Sequence, residues 1–156
     1  MRFLEIQGKP QTFTVSMGLE EAALRLYALR DEGSSFFTYQ SRVDVDLKQS
    51  APGIITFRVD KQLWMGCYAV AIGELKPIDS DQIMVRFRTG ISRKSLYYML
   101  PLVIFSLFLL FNDNGWGVLL IIAGAISLWW TYYIGARGLE TFVPDAFYGP
   151  IRAKGF

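Results

Sequence analysis

Leu96-Tyr97-Tyr98-Met99-Leu100-Pro101-Leu102-Val103-Ile104-Phe105-Ser106-Leu107-Phe108-Leu109-Leu110-Phe111, then Asn112-Asp113-Asn114-Gly115, then Trp116-Gly117-Val118-Leu119-Leu120-Ile121-Ile122-Ala123-Gly124-Ala125-Ile126-Ser127-Leu128-Trp129-Trp130-Thr131-Tyr132-Tyr133-Ile134-Gly135: two uncharged apolar runs flank a polar tetrad. A helix rises about 1.5 Å per residue and a bilayer core is about 30 Å thick, so roughly 20 residues cross it. The second run has that length, and the first falls slightly short. A helix of a soluble protein keeps a polar face, and these runs have almost none. Ser106, Ser127 and Thr131 are the polar exceptions, and each can bond its own helix backbone. The tetrad is built of turn formers and is short enough to force an antiparallel hairpin. The expected spans are residues 96–111 and 116–135. Ala123 and Ser127, four apart, are small enough for a close crossing.

Flanking charges give the expected orientation. Arg86, Arg88, Arg93 and Lys94 precede the first span, and Arg137, Arg152 and Lys154 follow the second. The tetrad carries only Asp113. Both termini are therefore expected on the cytoplasmic side of a bacterial cytoplasmic membrane, with the protein crossing it twice. Tyr97, Tyr98, Trp129, Trp130, Tyr132 and Tyr133 would meet at that interface, and Trp116 would mark the other. Residues 1–9 hold no apolar core of signal-peptide length, so the first span is expected to act as its own insertion signal.

The whole chain of 156 residues is 52% apolar and 19% charged, with 16 Lys and Arg against 14 Asp and Glu. That allows one domain plus a little more. The net charge of +2 is too small for a nucleic-acid reader, and no nucleic-acid partner is expected. There is no histidine, which removes Ser-His and Cys-His nucleophile pairs and His-held metals or haem. Cys67 is the single cysteine, so an internal disulfide is excluded.

Residues 1–95 read as a cytosolic α+β domain of order β-α-β-β-β-β, one helix lying on an antiparallel meander. Residues 12–16 alternate as a short strand. Ser16 is placed to cap a helix with the stripe Leu19, Ala22, Ala23, Leu26, Ala28, Leu29 and Arg30, and Gly33 is placed to end it. Residues 37–48 alternate with period 2, and 49–53 read as a turn. Ile55, Phe57 and Val59 continue on a second strand, and Asp60-Lys61 suits a tight reversal. The strand over residues 63–75 is apolar on both faces. It is either a central strand covered by the helix and the N-terminal segment, or a contact face for a partner or an apolar ligand through Trp64 and Tyr68. Residues 76–81 read as a loop before a last strand containing Ile83, Val85 and Phe87. Residues 136–156 read as an aromatic tail, its helix stopped by Pro144, that is frayed, laid along the membrane interface or docked onto a neighbour through residues such as Phe147 and Tyr148.

Chemistry is sparse. Asp44 and Asp46 share a strand face, where a solvated surface competes with a cation site. Asp79 and Asp81 lack the glycine and glutamate of a calcium loop. Arg86, Arg88, Arg93 and Lys94 form a basic cluster suited to anionic head groups or an acidic partner, and topology alone accounts for it. Cys67 sits in an apolar strand and reads as packing. No cofactor, metal or catalytic set is expected.

The layout resembles that of small uncharacterised bacterial membrane proteins in which a cytosolic α+β domain precedes a C-terminal transmembrane helical hairpin. The resemblance rests on Thr14-Val15-Ser16 before Glu20-Glu21-Ala22, the Val43-to-Val59 strand pair, Gly73-Glu74-Leu75, and Arg93-Lys94 at the first span. It implies no activity. The expectation is a non-catalytic accessory or assembly subunit of a larger membrane complex, with respiratory and photosynthetic assemblies as candidate hosts. Its partners would be the lipid bilayer and other membrane subunits. The alternative is a membrane-tethered binding module for an apolar ligand or lipid.

Overall fold

The computed structural model describes residues 6–30, 43–64, 67–112 and 115–148. Six antiparallel strands form one sheet: β1 (Ile6–Gln7), β2 (Gln11–Val15), β3 (Val43–Ala51), β4 (Ile54–Trp64), β5 (Cys67–Asp79) and β6 (Gln82–Ile91). β1 and β2 lie end to end along β6, and the rest follow as the meander β6-β5-β4-β3. Alternation sorts the faces. Val45, Phe57, Val59, Ala69, Ala71, Leu75, Val85 and Phe87 are buried on one face. Asp44, Asp46, Arg58, Glu74, Arg86 and Arg88 occupy the other.

The buried face is covered by two helices, α1 (Leu19–Tyr27) and α4 (Arg137–Tyr148). The expectation of one covering helix is corrected here. α4 contributes Leu139, Val143 and Phe147, exposed by 0%, 0% and 2%, to the same core as Ala22 and Leu26 of α1. Residues 137–148 are therefore part of the α+β domain, and residues 1–95 are not the whole of it. Pro144 does not stop this helix, which runs on to Tyr148. The burial of Val143 and Phe147 outweighs one missing backbone donor.

Several strand limits move. β4 passes through Asp60 and Lys61 without reversing and ends at Trp64. Arg58 clamps the Asp60 carboxylate at 2.8 and 3.1 Å, so a charge that suggests a turn is held within a strand. β3 continues through Gln49 to Ala51, and β5 continues through Pro77 to Asp79. Pro77 pairs with Ile83 on β6 and falls beyond the last β4 partner of β5, so its missing N–H interrupts no ladder. α1 begins after Gly18, with no side-chain cap from Ser16, and ends at Tyr27. Gly33 and residues 37–42 lie outside the described residues. Gly73 sits between Phe57 and Phe87, where a Cβ would come within 2.6 Å of both side chains. Glycine lets those rings close over the central strand.

Between β6 and α4 the chain makes a helical hairpin: α2 (Arg93–Phe111) and α3 (Trp116–Trp130). A π-helical segment, Thr131–Ala136, joins α3 to α4, so residues 116–148 form one helix of 33 residues. Two helices, Arg93–Phe111 and Trp116–Tyr148, are long and apolar enough to cross a membrane. α2 starts three residues before the expected span, which places Pro101 a turn deeper than the sequence suggested. The hairpin closes through Gly117, where a Cβ would meet the Ser106 carbonyl and Leu110, and through Gly124 against Leu102. Ala123 is exposed, so the expected Ala123–Ser127 crossing is corrected to this pair of glycines seven residues apart. Ser106 and Thr131 donate to their own helix carbonyls at 2.6 and 2.8 Å, as expected.

Candidate functional site

The register Val43·Lys61·Ala69·Ile91 runs across four strands and marks the end of the sheet that meets the hairpin. The β3–β4 and β5–β6 turns lie at the opposite end. No linker separates β6 from α2. Ser92 alone intervenes, in extended conformation, and its hydroxyl accepts from the Lys94 N–H at 3.4 Å as a helix N-cap. The Ser92 N–H donates to the Tyr68 carbonyl at 2.9 Å. Ser95 also bonds both backbone groups of Tyr68: its hydroxyl accepts from the Tyr68 N–H at 2.6 Å and donates to the carbonyl at 3.0 Å. Both serines are fully buried. The first turn of α2 thus extends the ladder of β5.

Charges gather around this joint. The Arg58 guanidinium, besides gripping Asp60, donates to the Ser92 hydroxyl at 3.2 Å. Lys94 Nζ lies 3.7 Å from Asp60, 3.8 Å from Asp44 and 5.5 Å from the centre of the Tyr68 ring. Tyr68 stacks on Tyr98 of α2 at 6.1 Å. Asp60 is only 6% exposed, so its pairing with Arg58 is what makes its burial tolerable. The expected Asp44–Asp46 pair is divided: Asp44 faces Lys94, and Asp46 pairs with Lys48 at 3.0 Å.

On the other face of the sheet the π-helical segment lies across Leu63 of β4 and Ala69 of β5. A Cβ on Gly135 would overlap the Leu63 side chain and come within 2.8 Å of the Ala69 Cβ. The start of β5 is therefore held on both sides, by α2 through Tyr68 and by the π-helical segment through Ala69. Thr89 donates to Glu140 at 3.2 Å and ties β6 to α4.

Tyr97, Tyr98, Trp129, Trp130, Tyr132 and Tyr133 are exposed around the base of the hairpin, and Trp116 is exposed at its far end. Trp129 stacks on Tyr133 at 5.3 Å, with the Arg137 guanidinium 4.6 Å above the Tyr133 ring. The basic quartet is not one patch. Arg93 and Lys94 open α2, whereas Arg88 and Arg86 are exposed on β6, in register with Ile72 and Glu74. Arg86, six residues before Ser92, stands about 20 Å from the joint along the strand.

The remaining expected contact residues divide in the same way. The Trp64 backbone pairs with Cys67 at the hairpin end of the sheet, and its side chain lies outside what the structure describes. Phe147, expected to meet a neighbour, is in the core against Phe13 at 5.7 Å, a correction that follows from α4 docking on its own sheet. Tyr148 is exposed, and its hydroxyl donates to the Thr14 carbonyl at 3.3 Å. Arg25 donates to the Phe147 carbonyl at 2.8 Å and so satisfies the end of α4.

Two shallow depressions, of about 300 Å³ beside Leu19 and Leu47 and about 450 Å³ beside Met17 and Tyr148, mark the domain surface. Among the described residues no group of three or more His, Cys, Asp or Glu is placed to hold a metal. The docking of α4 is the element that sequence reasoning missed. Its signal was the spacing of Leu139, Val143 and Phe147, four apart, opposite Asp145. The chain matches no family model, no curated protein and no solved structure.

Proposed function

We propose that this protein is a non-catalytic accessory or assembly subunit of a bacterial cytoplasmic-membrane complex, anchored by its hairpin with both termini in the cytoplasm. The observation that carries this reading is the hairpin surface. Ile104, Phe105, Phe108, Phe111, Leu119, Ile122 and Ile126 are exposed in every direction, with no polar stripe to face water. Lipid is the solvent that such a surface matches. At about 1.5 Å per residue the 33-residue helix extends roughly 50 Å, well beyond a core of about 30 Å. Its last third would leave the bilayer, and that third carries the amphipathic stripe of α4. The aromatic ring at the hairpin base falls where a headgroup layer would lie, with Arg93, Lys94 and Arg137 beside it. The uncharged face of the hairpin supports anchoring rather than ion or proton conduction. Arg86, Arg88 and Tyr148, exposed on the domain, are the surfaces offered to neighbouring subunits.

The binding-module reading has less support, because Tyr68, on which it relies, is packed against the chain's own α2 through Tyr98 and Ser95. Two measurements test the proposal. The protein should stay in the membrane pellet after alkaline carbonate extraction. Purified in mild detergent, it should elute with larger subunits at a fixed ratio, and a monodisperse monomer would overturn the subunit reading.

A further inference from the structure

We infer that α4 is a strap that closes the sheet only after the hairpin has returned the chain to the sheet's own side, so that folding of the domain reports insertion of both spans. The inference rests on the membrane reading above and extends it to the order of assembly. The sheet has one apolar face and two helices to cover it. α1 has nine residues and lies toward β3 and β5. A helix that short is not stable without packing partners. α4 covers β5 and β6 and buries Leu139, Val143 and Phe147 almost completely. The burial of three such side chains is comparable with the whole net stability of a small domain. Without α4, the ring cluster in which Phe147 meets Phe13, and Phe13 meets Phe87, would be opened.

The position of α4 in the chain makes this a check on topology. It follows both spans. Should α3 fail to cross, α4 would be left on the far side of a layer about 30 Å thick, out of reach of the sheet. When α3 does cross, the π-helical segment delivers α4 directly onto β5 and β6. Arg25 to the Phe147 carbonyl at 2.8 Å and Thr89 to Glu140 at 3.2 Å then fasten it at both ends.

Cys67 supplies the readout. It is the only cysteine in the chain, lies in β5 and is 3% exposed. In membranes carrying the full chain, it should resist N-ethylmaleimide, a reagent that crosses bilayers. In Leu139→Asp/Val143→Asp, which spoils the strap and leaves the hairpin intact, labelling should accelerate at least ~100-fold while the protein stays carbonate-resistant. In Ile121→Arg/Ile122→Arg, which blocks the second span, labelling should accelerate as much. Ile121→Ala/Ile122→Ala, which trims the same surface and leaves the span apolar, should label at the wild-type rate. Wild-type protection of Cys67 in either charged variant overturns the inference. So does fast labelling of the alanine pair, because packing rather than topology would then govern closure. Carbonate extraction of the wild-type chain would sink the membrane reading and the topological half of this inference. The Leu139→Asp/Val143→Asp result would still decide whether α4 is the strap.

Discussion

The helix from Trp116 to Tyr148 is continuous, yet its two halves obey different rules. α3 buries only Gly117 and exposes Leu119, Ile122, Ile126 and Trp130 in all directions. α4 buries Leu139, Val143 and Phe147 along one side and turns Thr141, Asp145 and Tyr148 outward. Both halves are rich in apolar residues. What separates them is periodicity: a stripe implies a protein surface to pack on, and α3 has none. The π-helical segment sits where one rule gives way to the other. Its wider winding inserts about one residue per turn and so changes the face that the helix presents. Gly117 and Gly124 face α2 before it, and Leu139, Val143 and Phe147 face the sheet after it.

The contrast is broken most directly by making similar truncations in the two halves. Phe147→Ala should destabilise the folded domain by about 3–5 kcal/mol, whereas Ile122→Ala should change the same unfolding transition by less than ~0.5 kcal/mol. Thermal or denaturant unfolding in detergent, followed by protection of Cys67, measures both. Equal losses would mean that the halves are packed alike.

The next effect tests the joint between the halves. Gly135→Leu drives a side chain into Leu63 and Ala69 and should cost about 1–3 kcal/mol. Gly138, three residues on, has open space at its Cβ position. Gly138→Ala should therefore be neutral or stabilise by up to ~1 kcal/mol through helix propensity. Opposite signs at neighbouring glycines would locate the close approach within one turn.

Much of this was legible in the sequence, and the failures share a cause. The hairpin and the alternating residues of β3, β4 and β6 could be read because each depends on a local period. Asp60-Lys61 misled because two adjacent charges suggest a turn. The partner that holds Asp60 in a strand, Arg58, is two residues away on the same face, and the other cation near it, Lys94, comes from α2. Pro144 misled because a missing donor suggests a helix end, whereas the opposing term is burial against a sheet more than fifty residues earlier. β1 holds two residues and has no period to read. The contact residues divided on the same principle. The exposure of Tyr97, Tyr98, Trp129, Trp130, Tyr132 and Tyr133 follows from composition, but assigning Phe147 required knowing which surface α4 meets.

A smaller effect sharpens the account of the other crossing point. Ser95→Ala removes the 2.6 Å and 3.0 Å bonds that the buried Ser95 hydroxyl makes with the Tyr68 backbone and should cost about 1–2 kcal/mol. Ser95→Thr keeps the hydroxyl and should recover part of that loss. Arg25→Leu, which removes the donor to the Phe147 carbonyl, should cost about 0.5–1.5 kcal/mol, read from the same transition.

The single residue between β6 and α2 has a consequence for any assembly that includes this protein. Here Ser92, Ser95 and Gly135 bolt the sheet to the hairpin, so the bearing of one on the other is fixed within the chain itself. If the proposed subunit role holds, a neighbour approaching Arg86 and Arg88 would meet a surface already aimed, and the orientational entropy lost on contact would be correspondingly small.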